Sequence, residues 1–496
     1  MKADVQQLSW SKPRILSAVS RACWVIFLLS LPVTSFPFFP GSFGGSTLVR
    51  PLATYPLLVL MGLVILPRFL TRPLPRTLLS FLPFVLVAVA TTLLASLRSI
   101  EGLQGVSVTE RMVRALATLG LGGSIYLAIT LWPESREDLR FSLRWLYAGF
   151  AIALFWGTLQ TVYIVHFNSD WFELMSTAQR FISTRRLFTN RVSGLTYEPN
   201  WFADQIALIL LPWLLAAVLS GSSVFRWRWR FFTLEGLLLG WSIVLLPFTF
   251  SRAGLLILFV LVVFAVLFFR GSGRRAAGIP QDGAILFLRR LVEVLAILAV
   301  LAGGIYFAGT RNVFFARIWD FFQHRPTQGY IHYLGEYFEY LGFGARFAYW
   351  GTAYQVYEDY PLLGVGLGNY AFYFEDKLPD RPLATVPEVL RLIVPEEGRN
   401  RLITAKNLYL RLLAETGLIG TASFLAFVVA ILGCAVYLWF SPGREARFWG
   451  IGSLLGMLAF SLAAFSFDSF AVPNMWVVFG FITAAARLWR KFPAVQ

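Results

Sequence analysis

The sequence predicts an all-α, polytopic membrane protein of about 12 transmembrane helices with a large helical extracytoplasmic loop. Three observations predict it. Hydrophobic residues make up 57% of the 496-residue chain and charged residues only 14%, against roughly 25% charged in soluble domains. Apolar windows such as LLILFVLVVFAVLFF, Leu255 to Phe269, run unbroken, whereas a membrane β-barrel needs alternation. Lys and Arg gather in alternate connections between those windows, the pattern that sets orientation in a bilayer. A water-soluble globule is excluded on composition.

Taken in order, windows of about 19 residues place spans near 22–40, 52–69, 77–97, 113–132, 145–166, 199–219, 231–250, 253–270, 290–309, 414–440, 447–466 and 472–489. With the N-terminus inside, the inner connections hold Lys2, Lys12, Arg14 and Arg21, then the triplets Arg68/Arg72/Arg76, Arg136/Arg140/Arg144 and Arg226/Arg228/Arg230, and later Arg270, Arg274, Arg275, Arg289, Arg290, Arg444, Arg447, Arg487, Arg490 and Lys491. The short outer connections hold only Arg50, Arg98, Arg111, Arg114 and Arg252. Both termini are therefore expected in the cytoplasm. Topology accounts for much of the net charge of +16, so no nucleic-acid partner is expected. No small-residue cleavage site follows Arg21, and the first apolar stretch is read as a retained helix. Cys23 and Cys434 lie in apolar stretches without disulfide or metal-ligand spacing, and neither a metal nor a cofactor is expected.

The chain divides into residues 1–309 with nine spans, a loop at 310–405 on the outer side, and residues 406–496 with three more spans. Such a loop is too long for a connector and reads as functional. Its first half sets Arg346, Trp350, Ala353, Tyr357 and Tyr360 at helical spacing; its second half, DKLPDRPLATVPEVLRLIVPEEGRN, is Pro-broken and polar, as a lid would be. Arginines in this loop and in 167–198 are not explained by topology and call for an anionic partner on the outer face.

Four motifs fall on that face: NRVSGLTYEPNWFAD (Asn190 to Asp204), FSRAGLL (Phe250 to Leu256), RFAYWGTAYQVYEDYPLLGVGLGNY (Arg346 to Tyr370) and AKNLYLRLLAETGLIG (Ala405 to Gly420). Glu198 precedes Pro199 at a helix start, where a carboxylate either simply suits the dipole or sits beside a substrate hydroxyl as acceptor or general base. Asp204, costly in lipid, is expected to face the bundle interior. Arg252 either snorkels to headgroups or joins Arg191 and Arg346 in gripping phosphate oxygens, for which guanidinium groups are suited. Asn407, Arg411 and Glu415 recur every four residues as one polar stripe, within which Arg411 and Glu415 can simply pair. Lys406 at its mouth can neutralise an anion, or act as a base only with a much lowered pKa. Gly364, Gly366 and Gly368 suit a phosphate loop or an ordinary turn. Trp350 and its neighbouring tyrosines suit interfacial anchoring or stacking on sugar rings. His166, His324 and His332 read as packing residues rather than catalysts.

In order and spacing, SRAGLL, PLLGVGLGNY and NLYLRLLAETGLIG resemble the bacterial O-antigen ligase and polymerase family, membrane glycosyltransferases of the GT-C type; the resemblance covers roughly residues 185 to 425. It implies transfer of a glycan from an undecaprenyl-diphosphate carrier to an acceptor hydroxyl on the periplasmic side of the inner membrane, without nucleotide sugar or metal. Arg191 and Arg252 match arginines of the family pattern and, with Arg346, would hold the diphosphate. Asn407, Tyr409 and Trp350 complete the expected contacts to carrier and glycan. Membrane lipids and a chain-length regulator protein are the further partners implied. Ligases acting on lipid A-core usually carry histidine immediately before the asparagine of the last motif, where this chain has Lys406. That departure favours polymerisation of lipid-linked repeats, with Glu198 and Lys406 as catalytic candidates; the alternative within the family is a ligase, and outside it a transporter of lipid-linked glycans.

Overall fold

The computed structural model describes residues 14–39, 49–225, 227–229, 232–269, 343–378, 386–394 and 402–491, with isolated helical positions between 288 and 306. The expected span at 290–309 lies largely outside the described residues, as do 310–342 of the expected loop, including His324 and His332, and parts of its second half.

Among the described residues the architecture is helical apart from a hairpin of two two-residue strands, β1 (Arg228–Trp229) against β2 (Phe232–Thr233). The helices are α1 (Arg14–Ser30), α2 (Thr54–Thr71), α3 (Arg76–Ala95), α4 (Val108–Leu131), α5 (Arg136–Val165), α6 (Ser169–Gln179), α7 (Pro199–Ser220), α8 (Leu234–Thr249), α9 (Arg252–Phe269), α10 (Gly344–Asp359), α11 (Pro387–Ile393), α12 (Leu408–Phe440), α13 (Arg444–Ala463) and α14 (Asn474–Lys491). Among the described residues eight of them, α2 to α5, α7, α9, α12 and α13, are long and apolar enough to cross a membrane, and α1 and α8 are shorter apolar helices. The protein is thus a polytopic helical membrane protein.

Boundaries follow local chemistry. The first span was expected at 22–40, but α1 begins by Arg14 and stops at Ser30, because Pro32 and Pro37 cannot continue a helix. The chain beyond runs extended beside Arg50, with the Phe36 N–H donating to Arg50 O at 2.8 Å and the Arg50 N–H to Thr34 O at 2.7 Å. The start of α5 precedes the expected 145 because Ser135 and Asp138 form a capping box. The start of α12 precedes the expected 414 because the Asn407 side chain accepts from the Tyr409 and Leu410 N–H groups.

The pillar of the bundle is α7. Of its apolar window 89% is buried, against 22% in α2 and 39% in α3, α5, α9 and α12, so α7 faces protein while those helices face lipid. It packs on α13, α8 and α9, and the fit is close: a Cβ on Gly452 would stand 2.3 Å from the Trp213 ring. Trp213, Trp449 and Phe481 fill the space between α7, α13 and α14.

One end of the bundle is an arginine belt that closes helix termini. Arg68 donates to the Leu131 and Trp132 carbonyls at 2.8 and 2.7 Å, Arg444 to Ser220 O at 3.0 Å and to Gly221 O, and Arg487 to Pro133 O. Cations at C-terminal carbonyls satisfy groups that lipid cannot and oppose the helix dipole. The same arginines the positive-inside pattern counted therefore also cap helices.

Candidate active site

At the other end of α4 and α7, the sequence motifs converge. The 190s loop is formed first by Gln160 of α5, whose Oε1 accepts from the Ser193 and Gly194 N–H groups at 2.9 and 3.1 Å and whose Nε2 donates to Gly194 O at 3.1 Å. Gly194 has φ +55°, and a Cβ there would meet the Phe202 ring at 2.7 Å, so the SGL turn requires glycine. The Val192 N–H donates to Phe248 O at 2.8 Å, tying the loop to the corner between α8 and α9. That corner turns through Phe250 at φ +49°. Ser251 then caps α9 by accepting from the Gly254 N–H, and Gly254 lets α9 approach Ala203 of α7, where a Cβ would stand 2.8 Å away. The SRAG motif is thus a cap, a cation on the first turn and a contact glycine.

This corner gathers charge. Arg191 donates through Nε to Thr249 O at 2.9 Å and through Nη2 to Asn200 Oδ1 at 2.7 Å. Burial pulls its pKa down to about 10; Glu198 works against that, while the like charges of Arg185 and Arg252 add to it. It stays a cation at neutral pH, within electrostatic reach of two further guanidinium groups. Glu198 stands at the N-cap position of α7 without a side-chain cap bond; instead it pairs with Arg185 at 2.7 Å, which also lies over the Phe188 and Tyr197 rings.

A second cluster forms around Lys406. Arg346 of α10 donates to Lys406 O at 2.7 Å and Ser466 O at 3.3 Å. The Lys406 N–H donates to Asp468 Oδ2 at 2.8 Å, and its ammonium donates to Glu388 Oε1 of α11 at 2.6 Å and lies over the Tyr349 ring at 4.7 Å. Tyr349 OH donates to the same Glu388 oxygen at 3.1 Å. The two clusters share α7: Asn200 bonds Arg191, and Asp204, one turn further on the same face, lies within electrostatic reach of Arg346. Asp204 is buried as expected, and its Oδ1 has no hydrogen-bond partner among the described residues.

Other candidates are placed differently. Asn407 is 2% exposed with its oxygen committed to capping α12. Tyr409 packs on Phe465 and donates to Ser461 O at 3.0 Å. Arg411 and Glu415 form a buried pair at 2.8 Å, with Arg411 also donating to Asp468 O, so this part of the polar stripe is internal. Trp350 is partly buried, edge-on to Phe347, its indole N–H without a partner among the described residues.

The glycine run is a docking clip. At Gly417 (φ +63°, ψ −167°) α12 kinks; below the kink the Leu418 and Ile419 N–H groups donate to Pro361 O and Leu362 O, while above it Ala414 O and Glu415 O accept from the Val365 and Gly366 N–H groups. A Cβ on Gly364 would stand 2.5 Å from Glu415 C, and one on Gly417 2.3 Å from Leu362. Backbone groups released by a break in a membrane helix need partners, and the PLLGVGLGNY segment supplies them.

Strain marks the same region. Among the described residues the non-glycine positions with positive φ are Gln104, Phe250 and Lys406, each costing about 1–3 kcal/mol. Phe250 shapes the arginine corner, Lys406 the second cluster, and the Gln104 side chain holds α11 by donating to Leu392 O at 2.7 Å. The sequence reading did not single out Arg185, Glu388, Tyr349, Gln104 or Gln160; only the doubled arginine at 185–186 and the proline-led turn before Glu388 hint at the first two. Among the described residues no group of three His, Cys, Asp or Glu side chains stands together as metal ligands.

Fold and site together define a helical membrane protein with a cationic, carboxylate-bearing cluster at the end opposite its arginine belt. Residues 237–425 match the family model described as O-antigen ligase, a span that takes in the α8–α9 corner, the α10 segment, Lys406 and the kink. The match covers 189 of the 496 residues and supports a resemblance to the O-antigen ligase and polymerase family and, with it, a glycan-transferring function at a membrane. No curated protein matches the chain significantly.

Proposed function

We propose that the protein moves a glycan from an undecaprenyl-diphosphate carrier to an acceptor hydroxyl on the periplasmic side of the bacterial inner membrane, extending carrier-linked repeat units as a polymerase. The observation that carries this reading is the arrangement of Arg191, Arg252 and Arg346 about one end of α7, reached from three separate stretches of chain. The belt at the opposite end follows the positive-inside pattern and supports assigning that end to the cytoplasm, with both termini, and the cluster to the outer face.

In this mechanism the guanidinium groups of Arg191 and Arg252 neutralise the diphosphate as the sugar C1–O bond breaks, where charge on the leaving oxygen grows and a preorganised cation stabilises it most. Arg185 and Glu198 hold that corner together, with the Glu198 carboxylate as hydrogen-bond acceptor for a sugar hydroxyl. Lys406 offsets charge at the acceptor side, and Trp350 offers a ring face to the saccharide. Asn407 and Tyr409 support the site through α12 and its neighbours. Polymerase is favoured over ligase because Lys406 stands where ligases of this family carry histidine; attachment to lipid A-core or another acceptor is the second reading, with which the family match is equally compatible.

The test is reconstitution of purified protein in liposomes with an undecaprenyl-diphosphate-linked repeat. A ladder of carrier-linked products is expected. A single transfer to lipid A-core would convert the reading to ligase, and movement between leaflets without a new glycosidic bond would overturn it.

A further inference from the structure

Resting on the glycan-transfer reading, we propose that Glu388 is the group that takes the proton from the acceptor hydroxyl, with Lys406 and Tyr349 as the residues that position it. The hydroxyl must lose its proton as it attacks, and the site offers few groups to receive it. The Lys406 ammonium is a donor only. Glu198 is held by Arg185 inside the cluster assigned to the diphosphate, Asp468 is mostly buried and accepts the Lys406 N–H, and Asp204 is 5% exposed. Glu388 is different: its side chain is 53% exposed, yet two donors fix it. Lys406 Nζ and Tyr349 OH both bond Oε1, at 2.6 and 3.1 Å, so Oε2 takes part in neither bond.

The support extends outward. The Tyr349 carbonyl accepts from Tyr370 OH at 2.8 Å, α11 is held by Gln104, and Lys406 adopts a left-handed backbone that its Asp468 and Arg346 bonds fix from both sides. A carboxylate fixed on one oxygen, with the other in no bond among the described residues, is arranged as a hydrogen-bond acceptor of defined direction. Among the described residues the groups facing it are Lys406, Tyr349 and Arg346, with Arg391 three residues on in α11. Burial alone would raise its pKa, but Lys406, Tyr349 and Arg346 outweigh that and leave it lowered, which keeps it an acceptor at neutral pH.

In the step itself the acceptor oxygen forms a bond to C1 of the carrier-linked sugar, the C1–O bond to the diphosphate breaks with its electron pair going to the phosphate oxygen, and the hydroxyl proton passes to Glu388 Oε2. The proton is then released to water, restoring the carboxylate.

The experiment compares full-length wild type, Glu388→Gln, Glu388→Asp and Glu198→Gln in liposomes with the same carrier-linked repeat from about pH 2.5 to 8, so that the range extends below the lowered Glu388 value, alongside binding of undecaprenyl diphosphate. Glu388→Gln is expected to lower kcat by about 10²–10⁴-fold, to leave carrier binding within a few-fold, and to abolish the acid limb of the kcat/KM profile; Glu388→Asp should retain that limb at reduced rate. Turnover by Glu388→Gln within a few-fold of wild type, or a large loss with the acid limb unchanged, would overturn the assignment. Inactivity of the wild type on every carrier-linked glycan would instead remove the glycan-transfer reading, so the two failures are distinct.

Discussion

The side chain of Arg191 and the side chain of Asn200 are bonded at 2.7 Å, joining a loop guanidinium to the first turn of α7, the most enclosed of the eight membrane-length helices among the described residues. Asn200 presents an acceptor that orients the guanidinium without cancelling its charge, whereas a carboxylate there would have consumed it. The cation beside α7 is thus positioned by neutral acceptors at Thr249 and Asn200.

Arg191→Ala is therefore expected to lower transfer by about 10²-fold or more, with membrane insertion and helix content intact. Arg191→Lys should recover little, because one ammonium cannot keep both the Thr249 and Asn200 bonds and face a phosphate. Transfer rates in liposomes, with circular dichroism as the folding control, check this.

The kink gives a stability test. Gly417→Ala forces a side chain into a backbone region open essentially to glycine alone and against Leu362, and should destabilise by at least about 2 kcal/mol. Gly433→Ala, in the same helix with no atom within 4 Å of the added carbon, should change stability by no more than about 0.5 kcal/mol. Thermal unfolding in detergent compares the pair.

Asn407 separates capping from ligand contact. Asn407→Ala should cost about 1 kcal/mol through the lost cap, and Asn407→Asp or Asn407→Ser should restore stability and activity together. Stability restored without activity would show that the carboxamide touches substrate.

The buried pair in α12 predicts a strong asymmetry. Arg411→Ala strands the Glu415 carboxylate at 4% side-chain exposure and should cost about 3–5 kcal/mol, while Arg411→Met combined with Glu415→Leu should recover most of it. Denaturation of the two variants measures the difference.

Acid should release α11. Glu388 ionises below its ordinary value in the folded protein, so its contribution to docking is present above about pH 4.5 and is lost as pH falls through the lowered value. Hydrogen exchange of residues 386–394 should be slow at pH 6 and accelerate below pH 4, and Glu388→Gln should exchange fast at both.

The sequence carried the membrane helices because an apolar run of about 20 residues is a one-dimensional signal, and it carried the Arg411–Glu415 pairing because four-residue spacing fixes a helix face. Helix ends were harder: α1 ends early and α12 starts early through Pro32 and the Asn407 cap, both local cues outweighed by hydropathy. The glycine run stayed ambiguous in one dimension because its partner, the break at Gly417, lies some fifty residues further on. Glu388 was hidden for a related reason: in sequence it is one acid in a Pro-broken polar segment, and only the folded chain sets it against Lys406 and Tyr349.

The most direct measurement is the affinity of purified protein in lipid nanodiscs for undecaprenyl diphosphate, with undecaprenyl monophosphate as comparison. Wild type should prefer the diphosphate, and Arg191→Ala and Arg252→Ala should each weaken that binding about tenfold or more while leaving the monophosphate less affected. Equal affinity for the two lipids, or diphosphate binding unchanged in both variants, would contradict a diphosphate grip at this end of α7.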